Sequence, residues 1–428
     1  MIKLPKEVKD IIKTLRDSGF SAYAAGICVR NSLTGDKPLD WDVATDAGLD
    51  KLKELFPEGE TVSEKFGVLR IYGNETEDQD QIITDIGAFR RKTADEEGNI
   101  FTKDVREDLR RRDFTVNAMA DNGVEFIDDF GGRSDMQAKL VRTIGSADEL
   151  FRTEPIKMLK ALRITSGLGY DLTKEVYEAM VKNHSCLKDV PVNNIRRDFL
   201  AIIGGPHGGK ALNMIVDLNM LSDIIGDTAD HLSGREKSDL LVLCKNMDKT
   251  KPIPSRRMGA FLSILSEKKA LKVIDKLEFE GSLRQNLEDT AKDLAAFHFA
   301  QQPAQYKKFI YEHAPYERSE YLLNLQKALM NIFDYSIETK IKSKMFLLKE
   351  FDRNNEAIFV EDLVINADDL MEEGISDDPE ECEKLLCMLV ERLHIEPKKN
   401  NRKDLLELAK KYKKNKVAAY LRGVSWIR

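Results

Sequence analysis

Histidine is scarce in this chain: six residues in 428, scattered (184, 207, 231, 298, 313 and 394), with no His-Asp dipeptide. A histidine-rich hydrolytic metal site needs its ligands gathered, so that chemistry is excluded. The five cysteines are an odd number and form no pair of zinc-spaced clusters, while Cys382 and Cys387 are spaced for a helix face. This usage predicts reduced thiols in a cytoplasm. No uninterrupted apolar run approaches a membrane span, and Met1-Ile2-Lys3-Leu4-Pro5-Lys6 lacks a signal-peptide core, so no membrane partner is expected. Fixed-period repeats and low-complexity segments are also missing.

What is present is a globular composition, 33% charged and 42% hydrophobic, long enough for two or more domains. The net charge of −7 argues mildly against wholesale nucleic-acid binding. The distribution is uneven, because Lys398 to Arg428 carries eleven Lys or Arg against Asp404 and Glu407 alone. Such a tail suits either a solvated helix or contact with phosphates, and the sequence leaves both open.

The first 140 residues alternate between helix and strand patterns. Val8, Ile11, Ile12 and Leu15 make a helical stripe, and residues 21–26 read as a strand entering a glycine-containing turn, 25–31. A helix over 49–56 stops at Pro57. Strand-like runs at 67–72 and 81–86 flank the acidic stretch 74–78, which predicts a hairpin. After about residue 145 helical periodicity takes over, with helices expected at 149–163, 195–203 and 211–225. The architecture is a small α/β domain followed by a long helical body.

Asp40 and Asp42 lie one position apart where a strand should begin, so both carboxylates project from one face. Adjacent carboxylates repel, and a hard divalent cation such as Mg²⁺ relieves this. A metal pair beside a turn with free N–H groups suits nucleotidyl transfer from a triphosphate. The bland alternative is a solvated acidic turn. Asp85, on a strand suited to pairing beside the first, is a third acid able to ligate metal or accept a proton. Alone it reads more simply as an exposed strand residue.

Arg110, Arg111 and Arg112 are costly to assemble unless an anion compensates them, and a triphosphate is such an anion. Asp113 and Asn117, four apart, are expected to share a helix face and reach a ribose. Glu154, Lys157, Lys160 and Arg163 form an i, i+3 series in which an acceptor sits beside a donor, as needed to read a base edge. An ordinary surface ion pair would look the same.

In this order the motifs resemble the class II tRNA nucleotidyltransferases, the CCA-adding enzymes and their bacterial poly(A) polymerase relatives. The pattern Gly-Gly-x-Val-Arg-Asp, Leu-x-Gly, Asp-x-Asp appears as Gly26-Ile27-Cys28-Val29-Arg30-Asn31, Leu33-Thr34-Gly35 and Asp40-Trp41-Asp42. The Arg-Arg-Asp motif matches Arg111-Arg112-Asp113 with trailing Asn117-Ala118. Asp128-Asp129-Phe130-Gly131-Gly132 is similar to the segment before the neck, and 362–370 to the start of the tail.

The resemblance implies a polymerase-beta-like α/β nucleotidyltransferase head over 1–145 followed by an all-α neck (146–225), body (226–355) and RNA-binding tail (356–428). It implies Mg²⁺ held by Asp40 and Asp42, with Asp85 where the family usually has Glu. The nucleotide would be bound by Gly26, Ile27, Arg30, Arg111, Arg112, Asp113 and Asn117, and its base read by Glu154, Lys157, Lys160 and Arg163. The implied activity is addition of CCA, from CTP and ATP, to tRNA 3′ ends. A poly(A) polymerase, an enzyme adding only C or only A, and an RNA-binding relative with little activity are the alternatives. Ile27 replaces a glycine where backbone approaches phosphate, Asn31 replaces an Asp, and Lys157 lacks the planar fork of Arg. Altered base choice is therefore expected.

Overall fold

The computed structural model describes residues 1–73, 81–96, 98–313, 316–334 and 338–421, in two compact units, Met1–Ile224 and Ile225–Arg428. The expected hairpin tip, 74–78, lies outside the described residues.

The first unit opens with α1 (Lys6–Asp17), whose stripe of Val8, Ile11, Ile12 and Leu15 is buried as expected. Then come β1 (Ala22–Ala25), α2 (Ile27–Thr34), β2 (Asp40–Thr45), α3 (Leu49–Leu55), β3 (Glu60–Ser63), β4 (Val68–Tyr72) and β5 (Ile83–Ala88). They are followed by α4 (Val105–Arg110), β6 (Ala120–Asp121), β7 (Phe126–Ile127) and α5 (Gly132–Ala138). The strands form one sheet in the order β3-β4-β5-β2-β1-β6-β7, in which β2 and β5 are parallel and the other neighbours antiparallel. The expected pairing of 67–72 with 81–86 is present as β4–β5.

Strand alternation gives the sheet two different faces. Trp41, Val43, Leu69 and Ile86 point into the core built with α1 to α3. The opposite face presents Asp40, Asp42 and Ala44 from β2, and only Ala44 is covered, in a cluster with Phe89, Val105 and Leu109. The two carboxylates thus stand where the apolar cover stops.

Next come β8 (Leu140–Val141), α6 (Ala147–Thr153), α7 (Ile156–Leu168), β9 (Asp171–Leu172), α8 (Lys174–Asn183), α9 (Val192–Gly204), α10 (Gly208–Asp217) and α11 (Leu221–Ile225), with β8 and β9 paired in parallel. Gly205 follows α9, and a Cβ there would collide with Ser166 Oγ and the Ser166 main chain of α7. Ser166 Oγ also donates to Ile202 O. The end of α9 therefore approaches α7 as closely as the Ser166 hydroxyl and main chain allow.

Four local expectations need correction. The turn at 25–31 is largely helix, since α2 starts immediately after Gly26. The helix expected over 149–163 is two helices, because Pro155 disfavours helical geometry in the residue before it and Glu154 sits at φ −133°, ψ 71°. The run 211–225 breaks at Asn219, which adopts φ 56° between α10 and α11. Asp113 and Asn117 share no helix, because α4 ends at Arg110 and only 115–117 form a short 3₁₀ turn.

The second unit is helical, with no strand among its described residues. One cluster packs Phe297, Tyr306, Phe309, Leu322 and Phe351, and another packs Leu370, Cys382, Leu385, Leu389 and Leu405. Of the basic tail, Arg402–Leu421 is one helix. Among the described residues no helix is long and apolar enough to cross a membrane.

Candidate active site

Asp40 and Asp42 are exposed on β2, separated by Trp41, which is 2% exposed and donates from Nε1 to Pro38 O at 2.8 Å. Parallel pairing places Asp85 opposite Asp42, and antiparallel pairing places Arg70 opposite Asp85. The three side chains form a row across β4, β5 and β2. Arg70 grips Asp85 with both arms, Nε to Oδ1 at 2.7 Å and Nη2 to Oδ2 at 2.8 Å. Surrounding protein pushes the Asp42 carboxyl up from its ordinary range; Arg112 and Arg111 oppose this, while Asp85 and Asp40 add to it. Among the described residues no group of three or more acids, histidines or cysteines is arranged around one metal position. The donor set that does fit a hard cation is the accessible pair Asp40 and Asp42, a carboxylate pair with no cation in salt-bridge contact among the described residues.

Gly26 caps α2 at φ 96°, ψ −135°, a region other residues rarely adopt. An added Cβ would also run into the Arg112 guanidinium and lie 3.7 Å from Asp42 Oδ2. The glycine is thus the point where α2, the arginine run and the acidic strand converge. Ile27 begins α2 with its side chain 51% exposed. Arg30, one turn on, donates to Asn117 Oδ1 at 2.9 Å and to Asn31 Oδ1 through Nε and Nη2 at 3.1 and 2.9 Å. Burial draws the Arg30 pKa down, with Tyr170, Asp113 and Asp36 working against it.

The arginine run is not uncompensated. Asp108, 1% exposed, accepts from Arg111 Nε at 2.9 Å and Arg112 Nη2 at 3.2 Å, and from the Arg90 main chain at 3.0 Å. Arg110 turns to solvent. The requirement for an external anion is correspondingly weaker than three adjacent arginines suggest, although Arg112 Nε is buried without a partner.

Asp113 and Asn117 do meet, Nδ2 to Oδ1 at 3.4 Å, despite the missing helix. Lys157 donates to Asp113 Oδ2 at 3.0 Å and lies 3.7 Å from Glu154. Burial alone would raise the Asp113 carboxyl; Lys157, Asn117 and Lys160 outweigh it, and its pKa falls. Lys160 is held below the usual ammonium range by burial and by Lys157. Arg163 bonds Asp198, which is fully buried, at 3.0 Å. Every candidate residue therefore lies in the first unit, with Asp85 and Lys157 already engaged by partners.

Comparison with known proteins now adds to this geometry. Residues 22–142 match the poly A polymerase head domain. Beyond it, the chain is 31% identical over 232 residues to the CCA-adding enzyme of Lactobacillus helveticus (strain DPC 4571), covering 52% of this chain and 58% of that protein. It is 32% identical over 236 residues to the CCA-adding enzyme of Geobacillus stearothermophilus, covering 54% and 56%. The chain thus spans little more than half the length of these curated relatives. Across 97% of this chain and 100% of the other, the fold is similar to a crystal structure of Bacillus stearothermophilus CCA-adding enzyme in complex with CTP, with TM-score 0.78 at 21% identity. The fold is therefore a polymerase-beta-like mixed-sheet head with a mostly helical remainder.

Three residues escape inspection of motifs. Asp108 is signalled by its spacing to Arg111 and Arg112. Arg70 needs the sheet register, and Asp198 needs the α7–α9 packing.

Proposed function

We propose that this chain adds CCA to the 3′ end of tRNA, joining nucleotides from CTP and ATP without a template and releasing pyrophosphate. The observation that carries this reading is the exposed Asp40–Asp42 pair beside Gly26 and Arg112, within a poly A polymerase head domain. The relatives named CCA-adding enzymes and the CTP complex of similar fold support it.

Asp40 and Asp42 would hold Mg²⁺ in this reading, for a two-metal nucleotidyl transfer in which bound metal would supply charge stabilisation at the RNA 3′-hydroxyl and the leaving pyrophosphate. Gly26 lets the backbone of the first turn of α2 approach the triphosphate. Arg30, Arg111 and Arg112 bind its phosphates; Asp113 and Asn117 orient the ribose; Glu154, Lys157, Lys160 and Arg163 face the base. Catalysis is then mainly positioning and electrostatics. The division into head (1–145), neck (146–225), body (226–355) and tail (356–428) belongs to the same reading, with the basic helix Arg402–Leu421 meeting RNA phosphates.

The test is incubation of tRNA lacking its 3′ end with each labelled triphosphate, beside Asp40→Ala and Asp42→Ala. Joining of C, C and then A that vanishes in both variants is expected. If the native protein joins no nucleotide to any RNA, the chain is an RNA-binding relative instead.

One observation favours a second reading within the same chemistry. Lys157 is committed to Asp113, which favours altered base choice: a poly(A) polymerase, or an enzyme adding only C or only A. Transcripts ending before the first C, at CC, or in unrelated sequence distinguish these by which nucleotide is joined.

A further inference from the structure

We propose that Arg70 withdraws Asp85 from metal binding, leaving a two-carboxylate site that takes its divalent cation together with the nucleotide. This rests on the reading that Asp40 and Asp42 hold the metal.

Neighbouring strands lie about 4.8 Å apart, so Asp85 stands close enough to Asp42 to share a cation with it. The register puts the two side by side on one face. Yet both Asp85 oxygens accept from Arg70, at 2.7 and 2.8 Å, in the planar two-bond geometry that is the strongest a guanidinium makes with a carboxylate. Arg70 comes from the next strand at the matching position, so backbone pairing itself aims the fork. A cation seeking Asp85 must displace a guanidinium and then lie beside its charge. With Asp85 neutralised, two carboxylates remain, the composition suited to Mg²⁺ whose other ligands are water and substrate phosphates. Arg70 is thus a positioning residue: it makes metal binding depend on the triphosphate instead of preceding it.

The test uses the full chain without nucleotide and Mn²⁺ alone as probe, with affinity read by electron paramagnetic resonance or calorimetry. Native protein, Arg70→Gln, Asp85→Asn and the double variant form a cycle. Removing Arg70 changes the local charge as well as freeing a ligand, but a charge effect acts equally in both backgrounds, whereas ligation requires Asp85. We expect Arg70→Gln to tighten Mn²⁺ binding about tenfold where Asp85 is present, and to act far less on the Asp85→Asn background. Unfolding of a variant would weaken binding, so tightening is not produced by damage. An equal effect in both backgrounds overturns the proposal, and so does a double variant that is folded by circular dichroism yet binds more weakly than the native protein, which would make Asp85 a ligand already. Asp42→Asn separates the two levels: if it leaves Mn²⁺ binding untouched, the metal site itself is misassigned, whatever Arg70 does.

Discussion

Lys157 Nζ donates to Asp113 Oδ2 at 3.0 Å, tying the first turn of α7 to the segment after α4 across 44 residues of sequence. The Asp113 pKa is depressed in the folded state, so this contact stabilises above the carboxylate's unfolded value and loses its effect as pH falls through the folded one. Lys157→Met strands a mostly buried charge and should cost about 2–3 kcal/mol at neutral pH. Urea unfolding at a series of pH values checks this: the gap between native and variant should close only as pH falls below the ordinary carboxylate range, where the depressed Asp113 group of the native protein protonates.

Gly26→Ala meets two obstacles, the positive φ and the Arg112 guanidinium. A loss of about 1–3 kcal/mol is expected from strain at that backbone position. Because Arg112 must move, affinity for a fluorescent nucleoside triphosphate should fall as well. Gly35→Ala, also at positive φ but with open space around it, should share the strain and spare the affinity.

Asp108→Asn leaves Arg111 and Arg112 without their buried counter-ion, a loss of about 3–5 kcal/mol. An added anion should substitute in part. Pyrophosphate is therefore expected to raise the melting temperature of the variant more than that of the native protein, which differential scanning fluorimetry reads directly.

Gly205→Ala pushes a methyl group into Ser166 and should destabilise by about 1–3 kcal/mol through overpacking. Mn²⁺ affinity at the proposed Asp40–Asp42 site should be unchanged, since the contact lies in the helical part of the first unit.

Much of the head was legible because periodicity there is unopposed. The α1 stripe and the alternation around Trp41 are direct readings of helix and strand geometry, and the pairing of Asp85 beside Asp42 followed from placing two strands together. Motif spacing carried the resemblance that the head-domain match supports. What failed was local or long-range in character. The Glu154–Pro155 break was signalled by the proline itself, but apolar residues of both helices keep a common phase across it. Partners that neutralise charge were the larger omission: Arg70 becomes visible only once β4 and β5 are in register, and Asp108 only once the arginine run is weighed against its own preceding turn.

Where α7 meets the end of α9, Gly205 leaves room for nothing beyond the Ser166 hydroxyl and main chain, so no bulky side chain sets the gap between the two rods at that point. A joint that tight admits no added methyl group. The basic row at the far end of α7 is thereby carried on a rod whose seat is fixed by one hydroxyl and one glycine.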